Sequence, residues 1–301
     1  MPVMKPDSTK GVQMNIKLTS RQKGVLLLIL SSFSFALMNV FVRLSGSLPS
    51  AEKSFFRNLV ALLTAWFMIY KSQESLRYEK KDLKNLILRS VCGTVGILCN
   101  YYAVDNMLLA DATAIQKLVP FITIVSSAVL LTEKIKTWQA GLVIAAFLAS
   151  LLVVKPGYTA SLIPALIQVV GALGAGIAYT YVRILGLQGV AKAKIIFFFS
   201  AFSCAAMIPL MIGRFVMPDA GQLLCLLTAG ACASAGQFSI TYAYGFAPAS
   251  QISIYDYSQI IFSALFGFFF FGQQADLYSW IGYALLVGIA VTNFLLQNRK
   301  G

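Results

Sequence analysis

Long apolar runs alternate with short polar breaks along the whole chain. The runs fall near 24–43, 54–70, 85–104, 109–131, 137–154, 162–183, 194–213, 221–244, 249–271 and 277–296. Within each run the apolar residues cover all faces of a helix, whereas the helices of a soluble solenoid need a polar outer face. A hydrocarbon core of about 30 Å takes roughly 20 apolar residues per helix. The pattern therefore predicts an all-α integral membrane protein with ten transmembrane helices. The gaps at 105–108 and 245–248 are so short that the helices they join must be antiparallel neighbours. The first run follows a polar leader, residues 1–23, with no small-residue cleavage site after it, which predicts a retained span and not a removed signal.

Composition agrees: 58% of residues are hydrophobic and 12% charged, about half the charge of an ordinary soluble domain. Mean hydropathy is +0.76. A soluble enzyme, a disordered chain and a nucleic-acid module are excluded on this ground, although the net charge is +13. Sorting Lys and Arg by alternate loops explains the excess. One side collects the leader's Lys5, Lys10, Lys17, Arg21 and Lys23, the cluster Arg77, Lys80, Lys81 and Lys84, and Arg299 and Lys300; the other holds Lys53, Lys155 and Arg214. The cytoplasmic side carries the basic excess, so the expected placement is a multi-pass cell-membrane protein with both termini cytoplasmic.

Chemistry is narrowed by what the sequence lacks. It contains no histidine, and its five cysteines lie in apolar runs without a CxxC pair, the pattern of small packing residues. Zinc sites, haem ligation by His and His-dependent catalysis are excluded. No GxxxxGK[ST] loop is present, which argues against direct ATP drive. Catalytic residues, metal and cofactor are all expected to be none.

Sliding the chain against itself by 140 residues reveals a repeat. Val42-Arg43-Leu44 falls on Val182-Arg183-Ile184, Cys92 on Cys232, Gly96 on Gly236, Tyr102-Ala103 on Tyr242-Ala243, Thr113 on Ser253 and Glu133 on Gln273. Five spans per copy is an odd number, so the second copy, 162–296, enters the membrane inverted relative to the first, 24–154, leaving 297–301 as a tail. Inverted repeats are a common transporter architecture, with substrate bound between the halves near the midplane.

The chain resembles the drug/metabolite transporter superfamily, specifically the EamA type of two tandem five-helix units. The resemblance is carried by Phe55-Phe56-Arg57, Tyr102-Ala103, the run Ala110-Asp111-Ala112-Thr113-Ala114 through Pro120 to Thr132-Glu133, and Trp138-Gln139-Ala140-Gly141. The second unit echoes it with Tyr242-Ala243, Ala249-Ser250, Phe271-Gly272-Gln273 and Trp280-Ile281-Gly282. It departs from the pattern with Gln273 in place of the usual Glu and with Ile260 opposite Pro120. The resemblance implies a transporter without specifying a substrate.

Candidate site residues are ionisable or polar groups deep in spans, which are costly in lipid unless turned toward a cavity or a partner. Lys117 lies about 12 Å into the fourth span and Asp256 about 10 Å into the ninth from the opposite face, leaving roughly 8 Å between them along the membrane normal. They either form a salt bridge, or Lys117 receives a substrate carboxylate while Asp256 receives an ammonium or a coupling proton. Ser253, Asp256, Gln259, Ser263 and Gly267 form one stripe at helical spacing, echoed by Thr113, Gln116, Thr123 and Ser127. The stripe reads equally as a packing seam or a ligand face. Asn39, Asn100, Tyr101, Tyr179, Gln237 and Tyr257 add polar tips for either helix contacts or substrate. Asp111 is a second coupling candidate; Arg57 is read as pairing with Glu52 or as a gate. Pro120 is expected to kink the fourth span, and Arg89 to snorkel to the cytoplasmic interface.

The expected function is a secondary transporter moving a small polar metabolite, an amino acid or related zwitterion, by alternating access. Alternatives are a membrane-embedded enzyme of lipid metabolism or a channel. The expected partners are a small-molecule substrate, the lipid bilayer and a coupling proton or ion, without nucleic acid; a homodimer is left open.

Overall fold

The computed structural model describes residues 18–106, 115–132, 137–154, 162–272 and 277–298. These form helices α1 (Ser20–Leu44), α2 (Ser50–Ser72), α3 (Lys80–Asn106), α4 (Val119–Leu131), α5 (Thr137–Val154), α6 (Leu162–Leu187), α7 (Lys192–Met211), α8 (Ala220–Phe246), α9 (Ser258–Phe271) and α10 (Leu277–Asn298). Local sequence sets several boundaries. Thr19 with Gln22 and Asp219 with Gln222 form capping boxes that satisfy the free N–H groups at the starts of α1 and α8. The equivalent helices α4 and α9 both end on a left-handed residue, Thr132 at φ 52° and Gly272 at φ 63°. Glu133, Lys134, Lys136, Lys155 and Gln273 lie outside the described residues.

Among the described residues, six helices are long and apolar enough to cross a membrane: Ser20–Leu44, Lys80–Ala103, Leu166–Leu187, Lys192–Met211, Ala220–Phe246 and Ser253–Phe271. Shorter apolar helices run over Ile122–Leu131, Ala140–Ala149 and Trp280–Ile289. The first turns of α2 are polar instead, with Glu52, Lys53, Ser54, Arg57 and Asn58 buried inside the protein. The exterior has the opposite character: Val129, Phe269 and Leu277 are each more than 70% exposed, and exposed Leu, Ile, Val and Phe side chains occur on every helix. Water would not tolerate so large an apolar surface, whereas a bilayer solvates it.

Packing follows the repeat. Helix α1 lies against α8 and α9, and the equivalent α6 lies against α3 and α4; α2 pairs with α7 and α5 with α10. The correspondence reaches individual atoms. The Ser31 hydroxyl donates to Gly236 O at 2.9 Å, and the repeat-related pair is Gly171, where a Cβ would lie 3.3 Å from Gly96 O. The α3–α6 contact is close because its residues are small: a Cβ on Gly174 would lie 2.7 Å from Cys92 O, and one on Gly171 would lie 2.8 Å from Cys99 Cβ. Lipid offers little hydrophobic drive between helices, so such backbone approach and cross-helix hydrogen bonds are what hold them. Examples of the latter join Thr94 to Ser203 at 2.7 Å and Ser126 to Thr180 at 2.6 Å.

Two spans differ from the continuous helices expected. The ninth is broken into a turn of helix, Ala249–Ile252, a 3-10 segment, Ser253–Tyr257, and α9. In the first repeat the chain makes a turn at Lys117 and Leu118 before α4 begins at Val119. Pro120 is therefore in the first turn of α4, where its missing N–H leaves no bond unmade. It begins the helical segment that follows the turn beside it at Lys117 and Leu118.

At one end of the molecule the loop before α3 is clasped to α7. The Tyr78 hydroxyl donates to Lys194 O at 3.2 Å, and Lys194 Nζ donates to Arg77 O at 2.6 Å and lies 5.1 Å over the Tyr78 ring. Burial pushes the Tyr78 phenol up to about 12. Nearby, the Lys81 ammonium 2.7 Å away holds the Glu79 carboxyl below its ordinary value.

Candidate functional site

A cavity of about 950 Å³, including its open mouth, lies between the two repeats. Helices of both contribute: Phe35, Met38 and Asn39 from α1, Arg57 from α2, Arg89, Asn100 and Tyr101 from α3, Tyr179 from α6, Phe199 from α7, Gln237 from α8, and Asp256, Gln259 and Gln116 from the broken segments.

The structure places Lys117 behind this wall. Its ammonium uses its three donors within the protein, to Gln259 Oε1 at 2.7 Å, Asp256 O at 3.1 Å and Asp256 Oδ2 at 3.2 Å. The Asp256 carboxylate also accepts from the Ser32 hydroxyl at 3.3 Å. Of the two alternatives left open by the sequence, the structure shows the direct salt bridge between the two side chains. Both spans break beside these residues, so depth counted along continuous helices does not apply. Tyr257 also leaves the cavity and donates its hydroxyl to Lys117 O at 2.8 Å. Asp111 and Thr113 lie outside the described residues, and of Pro120 only the backbone is described.

The 3-10 geometry of Ser253–Tyr257 breaks the polar stripe expected along one helical face. Ser253 is fully buried, while Asp256 and Gln259 keep an edge on the cavity. In the first repeat, Thr123 and Ser127 are buried in α4, and Thr123 donates within its own helix to Val119 O at 2.8 Å. Several cavity residues are also held by neighbours. Gln168, absent from the sequence-derived set, donates to Asn100 Oδ1 at 2.9 Å and Gln116 Oε1 at 2.7 Å. Gln237 donates to Thr241 at 3.2 Å, Tyr101 to Met38 Sδ at 3.8 Å, and the Tyr179 ring packs against that of Tyr244.

Arg89 departs from the expectation, and one of the two alternatives for Arg57 is removed. Arg89 does not snorkel: it is 1% exposed and turned into the cavity, with its guanidinium 3.6 Å over the Phe199 ring. It is the tenth residue of α3, about 13 Å along the helix at 1.5 Å per residue. Arg57 does not pair with Glu52, whose Oε2 accepts from the backbone N–H of Val216 at 3.2 Å; Arg57 instead faces the cavity, 6.0 Å from the Phe35 ring.

The chain has clear relatives. The EamA-like transporter family model matches residues 22–155 and again 162–294. Over 286 residues the chain is 31% identical to the pseudopaline exporter CntI of Pseudomonas aeruginosa, covering 93% of this chain and 98% of that protein. It is 23% identical over 295 residues to the S-adenosylmethionine uptake transporter of Rickettsia prowazekii, covering 95% and 97% of the two chains. A protein of known crystal structure, 15% identical, superposes with a TM-score of 0.79 over 93% of this chain and 99% of that one, a likeness of fold alone. The relatives' names make this a multi-pass membrane transporter of small molecules and not an enzyme. With both repeats matched in turn, the chain belongs to the EamA-like transporter family, within the drug/metabolite transporter superfamily.

Proposed function

We propose that the protein is a secondary transporter that moves a small polar metabolite, an amino acid or related zwitterion, across the cell membrane by alternating access, with both termini cytoplasmic. The observation that carries this reading is the cavity at the seam of two repeats, to which both contribute polar side chains. Rocking one repeat against the other exposes such a seam first to one side and then to the other. Asn39, Asn100, Gln116, Gln237 and Gln259 orient the cargo by hydrogen bonds. Asp256 receives its ammonium, or a proton that drives coupling. Either arrival competes with Lys117 for the same carboxylate, and this links cargo binding to the contact between the two broken spans.

Counterflow into proteoliposomes tests the proposal with amino acids, sulfonium metabolites and vitamins as labelled cargo. Saturable uptake stimulated by the same compound inside is the expected result, with Asp256→Asn losing gradient-driven accumulation and Lys117→Ala losing exchange. Non-saturating electrical current without exchange marks a channel and overturns the reading.

A further inference from the structure

We infer that Arg57 and Arg89 form an anion subsite that holds the carboxylates of a net-negative cargo, a di- or polycarboxylate. This rests on the transport reading and narrows its amino-acid or zwitterion cargo to one with at least two acid groups. Both side chains line the cavity, and they are only 7% and 1% exposed. Nε and Nη1 of Arg57 and Nε of Arg89 have no hydrogen-bond partner among the described residues. A buried guanidinium left unpaired is costly and is retained where a ligand completes it.

The surroundings orient the two groups toward such a ligand. Each lies over or near an aromatic ring, Phe199 for Arg89 and Phe35 for Arg57. A ring under the flat face steadies the cation and leaves its N–H edge free for a planar, two-oxygen acceptor. Space for this arrangement depends on Gly93, because a Cβ there would collide with Arg89 Nη1 and come within 2.9 Å of the Phe199 ring.

Charge counting then gives the cargo's sign. Lys117 and Asp256 cancel as an ion pair, so Arg57 and Arg89 leave two positive charges on the cavity wall. The repeat does not balance them, since the positions 140 residues on are Phe197 and Ala229. A net-neutral zwitterion has a carboxylate for one guanidinium and leaves the net excess of two unchanged, whereas a second acid group gives each guanidinium its own partner.

The full-length protein in lipid nanodiscs tests this by thermal shift and, in proteoliposomes, by exchange. The probes are succinate and citrate, their amides, leucine and putrescine. Succinate or citrate is expected to stabilise and exchange, while the amides and putrescine do neither and leucine is at least about tenfold weaker. Arg57→Gln and Arg89→Gln each raise the half-saturating concentration by roughly 30-fold or more, the loss expected for one desolvated charge pair. Arg89→Lys, which keeps the charge and loses the fork, falls between. Monodisperse elution and unchanged helix content show that each variant folds. Failure of both carboxylates to bind, or equal binding of acid and amide, overturns the subsite. The wider counterflow screen decides the transport reading separately: exchange of leucine or putrescine alone leaves that reading standing while this one falls.

Discussion

Lys117 and Tyr257, related by the 140-residue repeat, each reach across to a main-chain carbonyl in the break that holds the other. Lys117 Nζ donates to Asp256 O at 3.1 Å, and the Tyr257 hydroxyl donates to Lys117 O at 2.8 Å. A broken helix frees carbonyls that lipid cannot satisfy. Here the two breaks satisfy each other, and the Asp256 carboxylate, 3.2 Å from Lys117, adds charge to the clasp.

Removing one half of the ion pair strands the other. Lys117→Met leaves Asp256 with the Ser32 hydroxyl and is expected to cost about 3–5 kcal/mol. Adding Asp256→Asn to that variant removes the stranded charge and recovers part of the loss. Thermal unfolding of the detergent-purified variants checks both; a double variant no more stable than Lys117→Met contradicts the pairing.

Gly93→Ala displaces the Arg89 guanidinium from its place over Phe199. Overpacking of this kind costs about 1–3 kcal/mol. Since the crowded atoms line the cavity proposed to hold cargo, the half-saturating concentration for uptake is expected to rise while the protein still elutes as a folded species. Initial-rate transport with increasing cargo distinguishes this from a general loss of protein.

Small residues at the α3–α6 seam give a third expectation. A Cβ on Gly174 would lie 2.7 Å from a backbone oxygen, which cannot rotate away, whereas one on Gly288 meets nothing within 4 Å. Gly174→Ala should lower stability by about 1–3 kcal/mol, and Gly288→Ala should be neutral or slightly stabilising through helix propensity. Parallel melting curves of the two variants provide the comparison.

The clasp at Tyr78 is sensitive to alkali. Its phenol is pushed from an ordinary 10.0 to about 12 by burial, so folding favours the protonated form that donates to Lys194 O. That contribution is complete below the unfolded value near 10 and drains away as pH rises through about 12. Difference absorbance of tyrosinate, wild type against Tyr78→Phe, should show one phenol titrating late; equal titration at ordinary pH contradicts the burial.

How far the chain's pattern is legible depends on the length over which a signal is averaged. The repeat register spans many helices, so Gly96 and Gly236 could be aligned without coordinates, and they do occupy equivalent contacts. Lys117 and Asp256 stand out because charge is rare within apolar runs. The break at Ser253–Tyr257 stays hidden, because over five residues the spacing of a 3-10 turn differs too little from that of an α-helix to leave a pattern. Arg89 is harder to place from sequence, because a long side chain near a basic segment looks interfacial, whereas its burial over Phe199 arises from tertiary packing. Gln168 carries no sequence signal beyond its polarity; its bonds to Asn100 and Gln116 arise from tertiary proximity.

The unequal distribution of charge between the repeats bears on directionality. Under the proposed alternating access, chemically identical halves would make the inward-facing and outward-facing forms equivalent by a two-fold rotation, loading cargo equally well from either side. In this chain the unpaired cavity cations, Arg57 and Arg89, come from one half, and the carboxylate Asp256 comes from the other. Exchanging the halves' conformations therefore yields two different binding surfaces, and loading on one face of the membrane need not match release on the other. Under that proposal the gradient still sets net flux, while this inequality biases capture against discharge.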